Sequence, residues 1–240
     1  MKKGKLWLVY WTAVLVLACS PAGEVVTAGG GAVVEIPEEP PLVAITFDDG
    51  PHPVNTRLLL DGLSAREIPA TFFLVGERLA GNEGLVREMA AAGHQIGVHT
   101  WDHVMLDSDV TPEEAAAQNA RTRAAVEHIL GEGDYWLRPP YGIMDPELQK
   151  QEEGPLIIWS VDPEDWKDRD VARIVEYVLG RVGDGDIILM HDMYASSVEA
   201  ALKICDALLE RGFCFVTVEQ LMDLRGVEPE AGVRYNKLPG

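Results

Sequence analysis

The stretch Leu42-Val43-Ala44-Ile45-Thr46-Phe47-Asp48-Asp49-Gly50 joins a near-continuous apolar run to two adjacent carboxylates and a glycine. A short run of this kind, without polar alternation, suits a strand buried on both faces, as in parallel sheets flanked by helices. Similar runs recur at 71–75, 95–98, 135–137, 156–159, 187–190 and 213–218, separated by segments with helical period. Repeated strand–helix alternation implies an α/β domain. With seven such runs the expectation is a single-domain distorted (β/α)7 barrel over residues 42–225. An open doubly wound sheet has the same alternation.

The helices between the runs are punctuated. Thr111-Pro112-Glu113-Glu114 supplies an N-cap, a proline at the first helical position and a capping-box glutamate. Asp170 precedes a stripe of Val171, Ile174, Val175, Val178, Leu179 and Val182 that stops at Gly183. Ser196 and Glu199 read as the cap of the next helix, which turns Val198, Ala201, Cys205 and Leu208 inward and stops at Gly212.

Polar residues gather just beyond the strand ends. Asp48 and Asp49 follow the first run, His99 the third, Arg138 the fourth, Asp162 and Asp165 the fifth, and His191 the sixth. In α/β folds the C-terminal ends of parallel strands are where active sites are built. Neighbouring side chains diverge, so one aspartate of the pair can bind a metal while the other faces water. His99-Thr100-Trp101-Asp102-His103 spaces two imidazoles four residues apart, which a helical turn would place on one face. Two imidazoles and a carboxylate suit zinc or another borderline divalent ion, with cobalt and manganese as alternatives. Arg138-Pro139-Pro140-Tyr141 forms a rigid loop, Asp162-Pro163-Glu164-Asp165-Trp166 pairs acids with a large ring, and Leu189-Met190-His191-Asp192 ends a buried strand in a histidine.

Taken in order, TFDDG, HTWDH, RPPY, DPEDW and LMHD resemble the motifs of the NodB-type polysaccharide deacetylases, carbohydrate esterase family 4. The resemblance runs from residue 42 to about 224 and includes flanking stretches such as Ala70-Thr71-Phe72-Phe73-Leu74-Val75-Gly76 and Phe215-Val216-Thr217-Val218. It implies that Asp49, His99 and His103 hold the metal, that Asp48 is the general base and that His191 is the general acid. It further implies that the Tyr141 backbone N–H contributes to an oxyanion hole. Arg138 would orient Asp48, Asp165 would orient His191, and Trp166 and Leu189 would wall a pocket for an acetyl methyl. The matching role for Asp162 is less defined. Val98 departs from the asparagine that many relatives carry before the first ligand histidine, and it removes no ligand. His52, His94 and His128 fall outside the catalytic set; His94 reads as support for the turn before its strand.

The implied reaction is hydrolytic N-deacetylation of an N-acetylhexosamine polymer, peptidoglycan before chitin-like glycans, releasing acetate. O-acetyl xylan esterase activity and hydrolysis of a small non-sugar amide are the alternatives. With 39 acidic against 20 basic residues and a formal charge of −19, the surface argues against nucleic acid as a partner. A glycan substrate and a monomeric chain are expected.

The N-terminus supports export. Lys2, Lys3 and Lys5 precede the apolar run from Leu6 to Ala18, which is shorter than the roughly 20 apolar residues a spanning helix needs. A basic start, a short apolar core and a small residue before a cut describe a secretory signal. Val16-Leu17-Ala18-Cys19 resembles a lipobox, so residues 1–19 read as a leader, Cys19 as a lipid-anchored first residue in the cell envelope, and 20–41 as a tether. Membrane contact is expected through that anchor alone. Cys205 and Cys214 read as free core thiols, and residues 226–240, with their prolines and glycines, as a peripheral tail. Palmitate labelling tests the anchor: the wild type takes up label and Cys19→Ala does not, whereas absence of label in both excludes it.

Overall fold

The computed structural model describes residues 39–240, so the expectations for the leader and most of the tether lie outside the described residues. The quoted run becomes β1 (Leu42–Asp48), buried along nearly its whole length. Parallel to it lie β2 (Thr71–Leu74) on one side and β5 (Asp186–His191) on the other, and β3 (Gln95–Val98) pairs beyond β2. At the start of β1 the short β6 (Cys214–Phe215) pairs with Leu42 and Val43.

The ring continues through single bridges rather than long strands. Leu137 bridges Val98 on one side and Leu156 on the other, and Val161 bridges Ile188. Between them runs β4 (Leu156–Ile157). These links carry the sheet from β3 back to β5, giving a distorted barrel, as the alternation implies. Two expected strands are reduced. Of 135–137 only Leu137 bridges, and 213–218 keeps only Cys214 and Phe215. Thr217 instead caps α7 (Val218–Leu224), its side chain accepting from Gln220 N while Gln220 reaches back to Thr217 N. A capping box satisfies two backbone donors at once, and here it ends the strand.

Helices cover the outside: α1 (Asn55–Ser64), α2 (Glu83–Ala91), α3 (Pro112–Leu130), α4 (Pro146–Gln149), α5 (Val171–Leu179) and α6 (Ala195–Glu210). The capping box at Thr111 is present, and Asp170 accepts from Ala172 N and Arg173 N. Ser196 is not a cap, however. Helix α6 starts two residues earlier than that cap implies, Tyr194 takes the N-cap position, and no side chain caps it. Phe47 and Phe72 stack at 5.3 Å across the β1–β2 pair, within a core that Ile45, Leu59, Leu74, Ile188 and Met190 extend. His94 accepts a hydrogen bond from Ala70 N at 3.1 Å, which fits its expected role at the turn before β3.

The last residues are not peripheral. β7 (Arg234–Tyr235) pairs with β4, Leu238 N donates to Gly185 O, and the Leu238 side chain is 2% exposed. The backbone groups that β4 leaves open on its outer side need partners, and this segment supplies them. Cys205 is a free, buried thiol, with burial pushing its pKa up to about 12. Cys214 is also buried. Leu238→Ala should lower unfolding free energy by about 2–5 kcal/mol in urea titrations; an unchanged midpoint would show that the tail contributes nothing to stability.

Candidate active site and metal centre

The C-terminal end of β1 delivers both aspartates. Asp48 is the last strand residue and is 2% exposed, whereas Asp49 turns out of the sheet with a φ of 74°. An aspartate tolerates this left-handed conformation better than most residues, yet strained backbone of this kind costs of order 1–3 kcal/mol. The change of conformation gives the two carboxyls different partners, Arg138 for Asp48 and His103 for Asp49.

His99 follows β3. Its Nδ1 lies 2.6 Å from Arg138 O, and since a carbonyl only accepts, that nitrogen carries the proton and Nε2 keeps its lone pair. The loop to His103 is not a helical turn, which corrects the reading of the spacing. Thr100 and His103 have φ of 58° and 63°, so the chain folds back on itself, and the rings come to 4.9 Å with a tilt of 60°. Gln118 on α3 holds this loop, accepting from Trp101 N at 2.8 Å.

Asp49 Oδ1 lies 3.1 Å from His103 Nε2 and 3.7 Å from His99 Nε2. It is buried and accepts no well-formed hydrogen bond among the described residues. Ligand atoms of the three side chains lie within 4.8 Å of one another. A buried carboxylate oxygen without a donor, facing two imidazole nitrogens, fits a cation, and two nitrogens with one oxygen suit a borderline divalent ion. Burial pushes the Asp49 carboxyl up, but the contact with His103 and the charges of His99, His191 and His103 outweigh it. The carboxyl is held well below the usual range.

Arg138 ties the other aspartate down. Its guanidinium has no exposed surface and donates to Asp48 Oδ1 at 2.8 Å, Thr46 Oγ1 at 2.6 Å, Ile157 O at 3.1 Å and Ile158 O at 2.9 Å. Phe73 lies under it, 4.1 Å from ring centre to guanidinium carbon. Burial lowers the Arg138 pKa and the adjacent Asp48 opposes that shift. Asp48 Oδ2 stays clear of the arginine and lies 3.7 Å from His99 Nε2.

His191 sits opposite Asp48 in the β1–β5 register. Fully buried Asp165 accepts from the His191 backbone N at 2.9 Å and from Nδ1 at 2.7 Å, so Nε2 is the free edge of the ring. Burial pulls the His191 pKa down, but the bond and charge of Asp165, with Asp48 and Asp49 beyond, raise it to about 9. Leu189 is buried two residues before His191, on the same face of β5. Tyr141 has a φ of 60°, its ring packs edge-on to His103 at 4.8 Å, and its N–H finds no acceptor among the described residues. Trp166 is 48% exposed, and no ring or hydrogen-bond contact joins it to this cluster among the described residues. Asp162 accepts from Glu164 N, and burial raises its pKa.

Residues to which the motif reading gives no role also shape the site. Thr46 receives Arg138 and donates to Ile188 O at 2.7 Å, while Arg78 donates to Asp49 O. Asp192 is fully buried, and burial pushes its carboxyl up to about 7.

A family model described as polysaccharide deacetylase matches residues 35–153. A peptidoglycan-N-acetylglucosamine deacetylase of Bacillus cereus is 35% identical over 196 residues, covering 78% of this chain and 91% of that protein. The chain belongs to the NodB-type polysaccharide deacetylases, carbohydrate esterase family 4. Within that family, peptidoglycan-N-acetylmuramic acid deacetylase PdaC of Bacillus subtilis is 38% identical over 199 residues. The match covers 80% of this chain, which spans about two fifths of that relative (42%). A family 4 acetyl xylan esterase from Clostridium thermocellum, solved with a cobalt ion, matches with a TM-score of 0.78 at 32% identity, over 83% of this chain and 100% of that one.

The His191–Asp165 pair makes a pH prediction. Its folded pKa is raised, so the stability it contributes is complete below the unfolded value of about 6.5 and is lost as pH rises through about 9. Any turnover that needs protonated His191 falls over the same alkaline range. Asp165→Asn removes the raising charge and should move that limb to lower pH in a kcat/KM profile. An unmoved limb would show that another group titrates there.

Proposed function

We propose that this protein is a metal-dependent hydrolase that removes acetyl groups from N-acetylhexosamine residues of an exported glycan, with peptidoglycan as the preferred substrate. The observation that carries this reading is the meeting of Asp49, His99 and His103 within 4.8 Å, beside a carboxylate and an imidazole held by separate partners. A divalent ion there, zinc by preference with cobalt or manganese as alternatives, would polarise the amide carbonyl and make water easier to deprotonate. Asp49, His99 and His103 would hold it.

The protein's own groups divide the remaining work. Asp48 has one oxygen engaged by Arg138, leaving Oδ2 to take a proton from the attacking water. The Tyr141 N–H, without another acceptor among the described residues, donates to the carbonyl oxygen as negative charge develops on it. His191, charged and oriented by Asp165, gives its Nε2 proton to the leaving amine nitrogen. Leu189 and Trp166 form the walls that receive the acetyl methyl, and Trp166 has exposed surface left for a sugar face.

Peptidoglycan is favoured over chitin and xylan on two grounds. The relatives named above include deacetylases of peptidoglycan N-acetylglucosamine and N-acetylmuramic acid, and the leader sequence, with its proposed anchor at Cys19, would place the chain at the cell envelope. Acetate release from purified peptidoglycan, chitooligosaccharides and acetylated xylan, each with and without chelator, is the test. The expected result is chelator-sensitive release, greatest from peptidoglycan. Full activity after chelation overturns the metal reading, and release from xylan esters alone overturns the substrate.

Asp48→Asn should keep metal affinity near wild type and lower kcat by about two to four orders of magnitude, the usual worth of a general base. High residual turnover would assign the base elsewhere.

A further inference from the structure

Asp192 closes the Leu189-Met190-His191-Asp192 motif, and the chemistry above gives it no task. Its Oδ2 accepts a hydrogen bond from the Thr56 hydroxyl, and Thr56 Oγ1 accepts in turn from His52 N at 2.8 Å. Its Oδ1 is buried without a hydrogen-bond partner among the described residues. A buried carboxyl with one oxygen unsatisfied is costly, so its position calls for an explanation.

The carboxyl lies against the aspartate turn. A Cβ built on Gly50 would stand 2.6 Å from Asp192 Oδ2 and 2.8 Å from Oδ1, so the side chain fills the space beside the Gly50 Cα. A side chain at position 50 would have to displace that carboxyl, and the turn cannot move toward the carboxyl without meeting it. On its other side the turn is held by hydrogen bonds: Val75 N donates to Gly50 O at 3.0 Å, and the Arg78 guanidinium donates to Asp49 O.

Arg78 ends a tight helical turn, Gly76–Arg78, that also grips the histidine loop. Gly76 N donates to Thr100 O at 3.0 Å and Glu77 N to Trp101 O at 2.8 Å. The same three residues therefore set the place of Asp49 relative to His99 and His103. Both loops contain left-handed non-glycine residues, Asp49 in one and Thr100 and His103 in the other. Conformations of that kind persist only where the surroundings over-determine them.

We propose that Arg78 and the Thr56–Asp192 pair are positioning residues that clamp the Asp49–Gly50 turn from opposite sides, holding Asp49 where it can share an ion with His99 and His103. This rests on the metal reading above. The clamp acts through shape and hydrogen bonding rather than through the charge of Asp192, which gives it a distinct signature.

Zinc affinity, measured by competition with a chromogenic chelator, tests it in the full folded domain, with His103→Ala as the control and kcat and KM measured alongside. Arg78→Met and Asp192→Ala should each weaken zinc binding by about tenfold or more, the usual worth of groups that orient ligands, and lower kcat with KM unchanged. Asp192→Asn, which keeps the shape and the acceptor for Thr56, should bind zinc close to wild type. Wild-type zinc affinity in either Arg78→Met or Asp192→Ala overturns the clamp, as does an Asp192→Asn variant as weak as Asp192→Ala. If Asp192→Ala does not fold, Arg78→Met, whose side chain reaches the surface, decides alone. Undiminished binding in His103→Ala would instead show that the metal site itself is wrongly placed.

Discussion

A guanidinium with no exposed surface has to satisfy its donors within the fold, and Arg138 does so in a way that organises the whole site. Its side chain binds Asp48 and Thr46 at the end of β1 and the carbonyls of Ile157, which ends β4, and of Ile158 just beyond it, while its own carbonyl takes the Nδ1 proton of His99. One residue therefore sets the free oxygen of the proposed base and the free nitrogen of a proposed metal ligand. Removing either partner of a buried pair such as Arg138–Asp48 leaves an uncompensated charge, at a cost of about 3–5 kcal/mol. The barrel ring passes through this point, because Arg138 N is also bonded to Val98 O at 3.0 Å.

The neighbouring aspartates are separated by environment rather than by sequence. Asp48 remains in the sheet, buried and bonded to arginine, whereas Asp49 turns out of it and meets two imidazoles. Across the strand pair the ordering repeats with opposite polarity, a buried carboxylate, Asp165, holding an imidazole in its charged form. The proposed base and the proposed acid thus each have one edge engaged by a fixed partner and the other free. That division is the arrangement amide hydrolysis requires, since one group must take a proton from water and another must return one to the leaving nitrogen.

Much of this was legible in the chain. Unbroken apolar runs mark β1, β2, β3 and β5 because strands buried on both faces have no polar side to interrupt them. The runs at 135–137 and 213–218 were less reliable guides: in the first only Leu137 bridges, and in the second the capping box of Thr217 and Gln220 outweighs the apolar pattern. The spacing of His99 and His103 picked out two rings that do meet, but through the wrong backbone, since left-handed residues and not a helix bring them together. The pairing of β7 with β4 and the contacts of Arg78 and Asp192 with the aspartate turn depend on residues far apart in sequence. No local pattern announces them.

The central claim is that one ion is shared by Asp49, His99 and His103. X-ray absorption spectroscopy of the zinc-loaded protein reads that ligand set directly, without reference to turnover. The account predicts scattering from two imidazoles with the remaining ligands light oxygen atoms, falling to one imidazole in His103→Ala. A sulfur ligand, or an imidazole count that His103→Ala leaves unchanged, would contradict it.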